Sequence, residues 1–111
     1  MAYLPERGDL IWLTLSPQAG HEQAGRRPAL VLSHLRYNKR LGLAIVCPVT
    51  NQIKGYPFEV ALPSGLAVTG VVLADQVKSQ DWQARNAEFI VHVPDDLIQE
   101  VVGKLKPLLE P

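Results

Sequence analysis

The chain has only one cysteine, Cys47, and lacks the run of roughly 20 apolar residues that a membrane span needs. A lone cysteine excludes an intramolecular disulfide, and without cysteine neighbours it gives little support to a structural zinc site. We therefore expect Cys47 to be buried, and we expect no metal and no cofactor. The segment Met1 to Asp9 lacks the basic flank and apolar block of a secretory signal, which predicts a cytoplasmic protein.

An excess of charge of either sign is also missing, because eleven Lys and Arg residues balance eleven Asp and Glu residues. A neutral protein is not an obvious nucleic-acid binder. The charges are unevenly placed, however: residues 1–56 carry seven basic and three acidic residues, whereas residues 57–111 carry four and eight. This asymmetry predicts a basic face, built mainly by the first half, that attracts a polyanion.

The length and composition predict one globular domain over residues 1–111, since 47% of the residues are apolar and 20% are charged. Short apolar runs bounded by Gly, Pro and Ser predict β-strands. These runs cover residues 10–15, 28–33, 43–49, 58–62, 70–74 and 88–92. The second and third are nearly continuous in apolar residues, as in strands that are covered on both sides.

The end of the chain follows a helical period. Pro94 suits a first turn, Asp95 and Asp96 suit the positive end of a helix, and Pro107 is expected to end or kink it. The apolar positions that recur at helical spacing are Leu97, Ile98, Val101, Val102, Leu105, Leu108 and Leu109. Residues 16–25 read as a polar loop of functional type, and residues 36–40 as a polar, solvated connection. The whole pattern predicts a mainly β protein, a partly closed antiparallel barrel with a C-terminal helix.

Four segments, in this order along the chain, resemble the MazF/PemK family of bacterial toxin endoribonucleases. They are Arg7-Gly8-Asp9-Leu10-Ile11-Trp12, residues 21–33 with Gly25-Arg26-Arg27-Pro28, Pro48-Val49-Thr50 followed by residues 54–60, and residues 70–79 with Ala74-Asp75-Gln76. The resemblance implies an SH3-like, partly open antiparallel β-barrel, as in MazF, PemK and CcdB. It also implies a homodimer, a cognate antitoxin protein as partner, and cleavage of single-stranded RNA, mRNA included, as the toxin of a type II toxin-antitoxin system.

The resemblance assigns the catalytic pair to Arg27, just before the proline of the second strand, and Thr50, two residues past Pro48. RNA carries its own nucleophile in the 2′-hydroxyl, so the protein has to supply geometry, charge stabilisation and proton transfer. The expected products are a 2′,3′-cyclic phosphate and a 5′-hydroxyl, without a metal. Family members often have a second hydroxyl after the threonine, whereas this chain has Asn51, a departure that bears on base preference or substrate grip.

The group that accepts the proton is left open between two loop residues. Arginine stays protonated at any working pH and is a poor general base. Glu22 is the carboxylate that matches the family pattern, whereas His21 titrates near neutrality but has no counterpart in that pattern. Glu22 is the preferred candidate, and a solvated loop charge is the alternative for both.

Further side chains are candidates for binding RNA, by contacts to phosphates or base edges. The set is Gln23, Arg26, Asn51, Lys54, Gln76 and Lys78, and a plain surface role remains the alternative for these positions. Trp12 and Trp82 are expected in the core or at a dimer contact rather than as stacking platforms.

Two rival functions fit the same barrel. A CcdB-like toxin binds gyrase and has no nuclease activity, but such proteins lack the pairing of Gly-x-Arg-Pro with Pro-x-Thr. The second rival is an RNA-binding domain that has lost catalysis, against which an intact Arg27 and Thr50 argue.

Overall fold

An antiparallel sheet of seven strands forms the centre of the computed structural model, which describes residues 3–15 and 25–110. The strands are β1 (Asp9–Leu15), β2 (Gly25–Val31), β3 (Ala44–Thr50), β4 (Glu59–Ala61), β5 (Val71–Leu73), β6 (Lys78–Gln80) and β7 (Glu88–His92). Helix α1 (Leu35–Leu41) joins β2 to β3, a short 3-10 helix covers Ala74–Gln76, and α2 (Asp95–Leu109) ends the fold.

Strand β3 organises the sheet because three other strands pair with it. One edge of β3 pairs with β2, while the other pairs first with β6 through Ala44–Val46 and then with β5 through Val49 and Thr50. The full order is β4-β5-β3-β2-β1-β7. Within the described ranges the two outer strands, β4 and β7, do not pair with each other, so the sheet curls without closing. The predicted partly open barrel with a C-terminal helix is confirmed.

Both faces of the sheet are covered, as the continuous apolar runs predicted. One cluster of buried side chains includes Leu10, Leu30 and Cys47 and packs against the buried stripe of α2. The other includes Ile11 and Val46 from the opposite face. Cys47 is buried as predicted, and burial raises the pKa of its thiol to about 12. No helix in the described part of the chain is long and apolar enough to span a bilayer.

Residues 36–40, predicted as a polar, solvated connection, do connect β2 to β3 with Arg36, Lys39 and Arg40 exposed, but the connection is helix α1 rather than a turn. Gly42 ends the helix in the left-handed conformation (φ 68°) and donates its N–H to the carbonyl of Asn38 at 3.1 Å, a common C-terminal cap. Asn38 itself is fully buried. Its amide accepts from the Ser33 hydroxyl and donates to the carbonyls of Pro5 (2.8 Å) and Ser33 (3.1 Å). One buried polar side chain therefore anchors an otherwise exposed helix.

Buried Asp9 is a second polar anchor, at the start of β1. Its carboxylate accepts from the Tyr3 hydroxyl and the Glu6 N–H (3.0 Å), and it contacts His92 Nδ1 at 2.8 Å. Burial raises the pKa of Tyr3, and the hydrogen bond to Asp9 raises it further. This network ties the N-terminal segment to β7.

Several predicted boundaries shift for local reasons. Strand β2 begins at Gly25 rather than residue 28, because Arg26 pairs with Thr14 and Arg27 with Leu13 even though both are polar. Strand β6, Lys-Ser-Gln, has no apolar residue and was not predicted. Helix α2 continues through Pro107 to Leu109 rather than ending there.

Replacing Asn38 with alanine should lower the free energy of unfolding by about 2–3 kcal/mol, because buried polar partners lose their hydrogen bonds. Urea denaturation followed by circular dichroism measures the change. Lys39→Ala, one position along the same helix and exposed, is the matched control and should stay within about 0.5 kcal/mol. Equal effects for the two variants would contradict the anchoring role of Asn38.

Candidate functional site

The pairing of β2 with β3 brings Arg27 and Thr50 side by side. Ala29 pairs with Pro48, Leu30 with Cys47 and Val31 with Val46. Extending this antiparallel register by two residues sets Arg27 opposite Thr50. Directly opposed residues share one face of a sheet, so the two side chains project in the same direction. Positions 23 residues apart along the chain thus become neighbours through one strand pair.

Arg27 and Thr50 line the same open cleft, of about 380 Å³, which we call the Arg27 cleft. Its other lining residues are Trp12, Arg26, Pro28, Val49, Asn51, Ala67, Val68 and Thr69. Trp12 was predicted in the core or at a dimer contact; it is 38% exposed, so it lies outside the core, and the dimer contact stays a prediction. The cleft therefore combines an arginine, a hydroxyl, an amide and one exposed aromatic ring.

The Thr50 hydroxyl is oriented by the backbone that follows it. Thr50 is buried, and its Oγ1 accepts the N–H of Gln52 at 3.1 Å. A hydroxyl has one proton to donate and two lone pairs, so this acceptance leaves the proton available for a ligand. Together with the Arg27 guanidinium, which offers paired donors of fixed geometry, the site suits an oxyanion such as a phosphate.

Gly70 allows the next segment to approach the backbone of Thr50. Its φ is +119°, and a Cβ at this position would clash with the backbone carbonyl of Thr50, with its oxygen and, at 2.9 Å, its carbon. Real Cβ atoms essentially never lie so close to backbone atoms, so glycine is required here. Beside it, the Thr69 hydroxyl donates to Asn51 Oδ1 at 3.0 Å.

A second cleft of about 310 Å³, the Lys54 cleft, lies beyond Thr50, which lines both. Its other lining residues are Gln52, Lys54, Tyr56, Phe58, Glu59, Leu73, Asp75 and Gln76. The Glu59 carboxylate accepts the backbone N–H groups of Lys54 (3.1 Å) and Gly55 (3.0 Å), which fixes the loop. Partial burial raises the pKa of Asp75, and the nearby Glu59 charge raises it further.

Arg26 lines the Arg27 cleft, but its guanidinium already has protein partners. It pairs with Glu88, donates to the Asn86 carbonyl at 2.9 Å and contacts Thr14 Oγ1 at 3.0 Å. These bonds connect β2 to β1 and to the start of β7. Arg26 therefore has a structural role, and its binding to RNA remains a prediction.

The other predicted site residues are spread over three places. Asn51 lies in the Arg27 cleft, while Lys54 and Gln76 lie in the Lys54 cleft. Lys78 lies on β6 opposite Val46 and lines neither cleft. The predicted residues His21, Glu22 and Gln23 fall in residues 16–24, outside the described ranges.

Sequence reasoning did not select Thr69, Gln52, Tyr56 or Asp75 for a role in the site. Thr69 stands next to the recognised 70–79 segment and Asp75 lies within it, so position in the sequence was an available signal for both. Tyr56 lies within the recognised residues 54–60, and Gln52 lies between them and Pro48-Val49-Thr50. Among the described residues, no group of three or more His, Cys, Asp or Glu side chains is placed to hold a metal ion.

Comparison with known proteins gives one consistent result. The family model described as "PemK-like, MazF-like toxin of type II toxin-antitoxin system" matches residues 6–109. The endoribonuclease toxin MazF of Escherichia coli K12 is 49% identical over 107 residues, covering 96% of each chain.

Two solved structures agree with that match. The crystal structure of MazF (form I) from Deinococcus radiodurans has a TM-score of 0.94 and 56% identity, covering 99% of this chain and 100% of that one. The crystal structure of MazE-MazF (form II) from the same organism has a TM-score of 0.88 and 57% identity, covering 97% of each chain.

Replacing Gly70 with alanine should disturb the site more than the same change at Gly65. Both glycines have positive φ (+119° and +89°), but only at Gly70 would the new methyl group meet other atoms. We expect Gly70→Ala to lower the free energy of unfolding by about 1–3 kcal/mol more than Gly65→Ala, with large shifts of the Thr50 and Asn51 amide resonances. Equal losses and unshifted resonances would show that the close approach is not required.

Proposed function

Because the chain belongs to the family of PemK-like, MazF-like toxins of type II toxin-antitoxin systems, we propose that it is a sequence-specific endoribonuclease that cleaves single-stranded RNA, mRNA included. The family match confirms the resemblance inferred from the four sequence segments. One observation carries the proposal: the fold brings Arg27 and Thr50 into the same cleft, in a chain about half identical to a named endoribonuclease toxin. The relatives' activity also favours this function over a gyrase-directed module.

In this reaction the RNA supplies the nucleophile. The 2′-hydroxyl oxygen attacks the adjacent phosphorus, the bond from phosphorus to the 5′-oxygen of the next nucleotide breaks, and that oxygen takes up a proton. The products are a 2′,3′-cyclic phosphate and a 5′-hydroxyl. The enzyme has to hold the reacting groups in line and to stabilise the charge that develops on the phosphoryl oxygens.

Arg27 and Thr50 stabilise that charge. The guanidinium donates two parallel N–H bonds to phosphoryl oxygens, and the Thr50 hydroxyl, oriented by Gln52, donates to another. Removing one such donor typically costs two to three orders of magnitude in rate. The substrate supplies the nucleophile, and these donors stabilise the negative charge on the phosphoryl oxygens. This mechanism therefore needs no metal.

Proton transfer needs a further group, for which Glu22 remains our candidate. A carboxylate is able to accept the proton of the 2′-hydroxyl, which a permanently protonated guanidinium cannot do. Glu22 lies in the chain segment that leads into β2 and Arg27, and it matches the family pattern. His21 is the second choice.

The two clefts provide the grip on flanking nucleotides. In the Lys54 cleft, Lys54 suits a phosphate, Gln76 suits a base edge, and the half-exposed ring of Tyr56 lies 5.3 Å from Phe58, a surface on which a base is able to stack. In the Arg27 cleft, Asn51 offers its amide. Lys78 and Arg26 are candidates for contacts to more distant phosphates, and Gln23 stays a candidate RNA contact from its sequence alone.

The biological setting follows from the family. Structures of MazE-MazF pairs show an antitoxin bound to a protein similar to this one, so we propose a cognate antitoxin as partner. We also propose a homodimer of single-domain chains, residues 1–111, acting in the cytoplasm. Exposed Trp12 and Phe89, on the paired strands β1 and β7, offer apolar area for such contacts.

Changing Arg27 to alanine should slow RNA cleavage by at least about a hundredfold while the protein stays folded, because the paired phosphate donors are lost. The rate is measured on a labelled single-stranded RNA in EDTA, where the unchanged protein should remain active. Arg40→Ala, an arginine outside both clefts, is the matched control. A requirement for added magnesium, or a folded Arg27→Ala variant with nearly normal rate, would overturn this mechanism.

Thr50→Val keeps the shape of the side chain but removes the hydroxyl, so the single-turnover rate should fall by about a hundredfold. Thr50→Ser retains the donor and should recover most of that loss. Circular dichroism checks that both variants are folded. If valine and serine gave the same rate, the hydroxyl would have no part in the chemistry.

A further inference from the structure

The carboxamide of Asn51 accepts a side-chain hydrogen bond in the Arg27 cleft. The Thr69 hydroxyl donates to Asn51 Oδ1 at 3.0 Å, and both residues line the cleft together with Arg27 and Thr50. Thr69 belongs to the segment between β4 and β5, for which no role was predicted. The hydrogen bond therefore connects an unassigned segment to the residue that follows Thr50.

The backbone fixes both partners of this hydrogen bond. Thr50 pairs with Val71, and Gly70 lies against the Thr50 carbonyl, so Thr69 is brought next to Asn51 by the sheet itself. The Asn51 carbonyl also accepts the N–H of Ile53 at 3.1 Å, which holds the turn after β3. The side chains thus meet beside the paired ends of β3 and β5.

The orientation has a chemical consequence. A carboxamide has an oxygen that accepts hydrogen bonds and an NH₂ group that donates them, and it reads opposite patterns when it is flipped. In this structure the Thr69 hydroxyl gives its proton to the oxygen, so the NH₂ group of Asn51 is the part of the amide left over for a ligand.

We propose that Thr69 is a positioning residue that makes Asn51 a donor to a keto base, guanine or uracil, beside the scissile phosphate. This proposal rests on the proposed function and specifies which base that site accepts. Guanine O6 and uracil O4 accept hydrogen bonds, whereas adenine N6 and cytosine N4 donate them. Arg27 and Thr50 already serve the phosphate, so the Asn51 donors lie where they meet a flanking base.

The test is cleavage of a pool of RNA with random sequence, followed by sequencing of the new 5′ ends. With the unchanged protein, one position next to the cut should favour keto over amino bases. Asn51→Asp, which only accepts, should reverse that preference. Thr69→Val frees the amide and should reduce the keto preference about threefold to tenfold, the value of one hydrogen bond.

Two controls separate positioning from general damage. Thr69→Ser keeps the donor and should restore the preference, and Ser64→Ala, an exposed hydroxyl in the same β4–β5 segment, should leave it unchanged. In the free protein, ¹⁵N relaxation should show a rigid Asn51 NH₂ group that becomes mobile in Thr69→Val and stays rigid in Thr69→Ser.

Three results would overturn the proposal: an amino preference at every flanking position, a Thr69→Val variant with unchanged preference and a rigid amide, or an equal slowing of all sequences by Asn51→Asp. The last result would assign Asn51 to a phosphate. Failure of the unchanged protein to cut any RNA would instead refute the proposed function, while the relaxation measurement would still decide whether Thr69 fixes the amide.

Discussion

The pairing of β2 with β3 is the interaction on which the site depends. Its register, extended by two residues, sets Arg27 opposite Thr50, and a slip of one residue would turn one of the two side chains to the other face. Both strands have buried residues on their two faces, so such a slip would also move each set of apolar side chains into the opposite core cluster, where its packing partners differ. The free energy that holds the core together therefore also helps to hold the two cleft residues in place.

The sequence predicted the parts of this arrangement that have an apolar pattern. The long strands, the helix at the end and the burial of Cys47 follow from hydrophobic periodicity, because burial of apolar area largely decides where such segments lie. Strand β6 has only polar residues, and α1 depends on buried Asn38, so neither left a hydrophobic signal. Gly42 was the readable sign of a helix end that the prediction overlooked.

Only part of the candidate site could be predicted from the sequence. Arg27 and Thr50 follow from the resemblance, and strand pairing then brings them to one cleft. Thr69 and Trp12 could not be assigned in the same way, since their places depend on how the β4–β5 segment and β1 lie against the end of β3. The close approach of Gly70 to the Thr50 backbone leaves no periodic pattern in the sequence. The glycine at position 70 was its only local sign, because the positive φ there favours glycine.

The distribution of positive charge does not follow the simple division of the chain into a basic and an acidic half. Arg36, Lys39 and Arg40 lie on α1, which follows the end of β2 remote from Arg27, and Arg26 is neutralised by Glu88. The half-chain excess is thus divided between α1 and the clefts, where Arg27 and Lys54 are the basic residues besides Arg26. Selection between RNA sequences then falls to hydrogen-bond geometry, because phosphate contacts alone carry no sequence information.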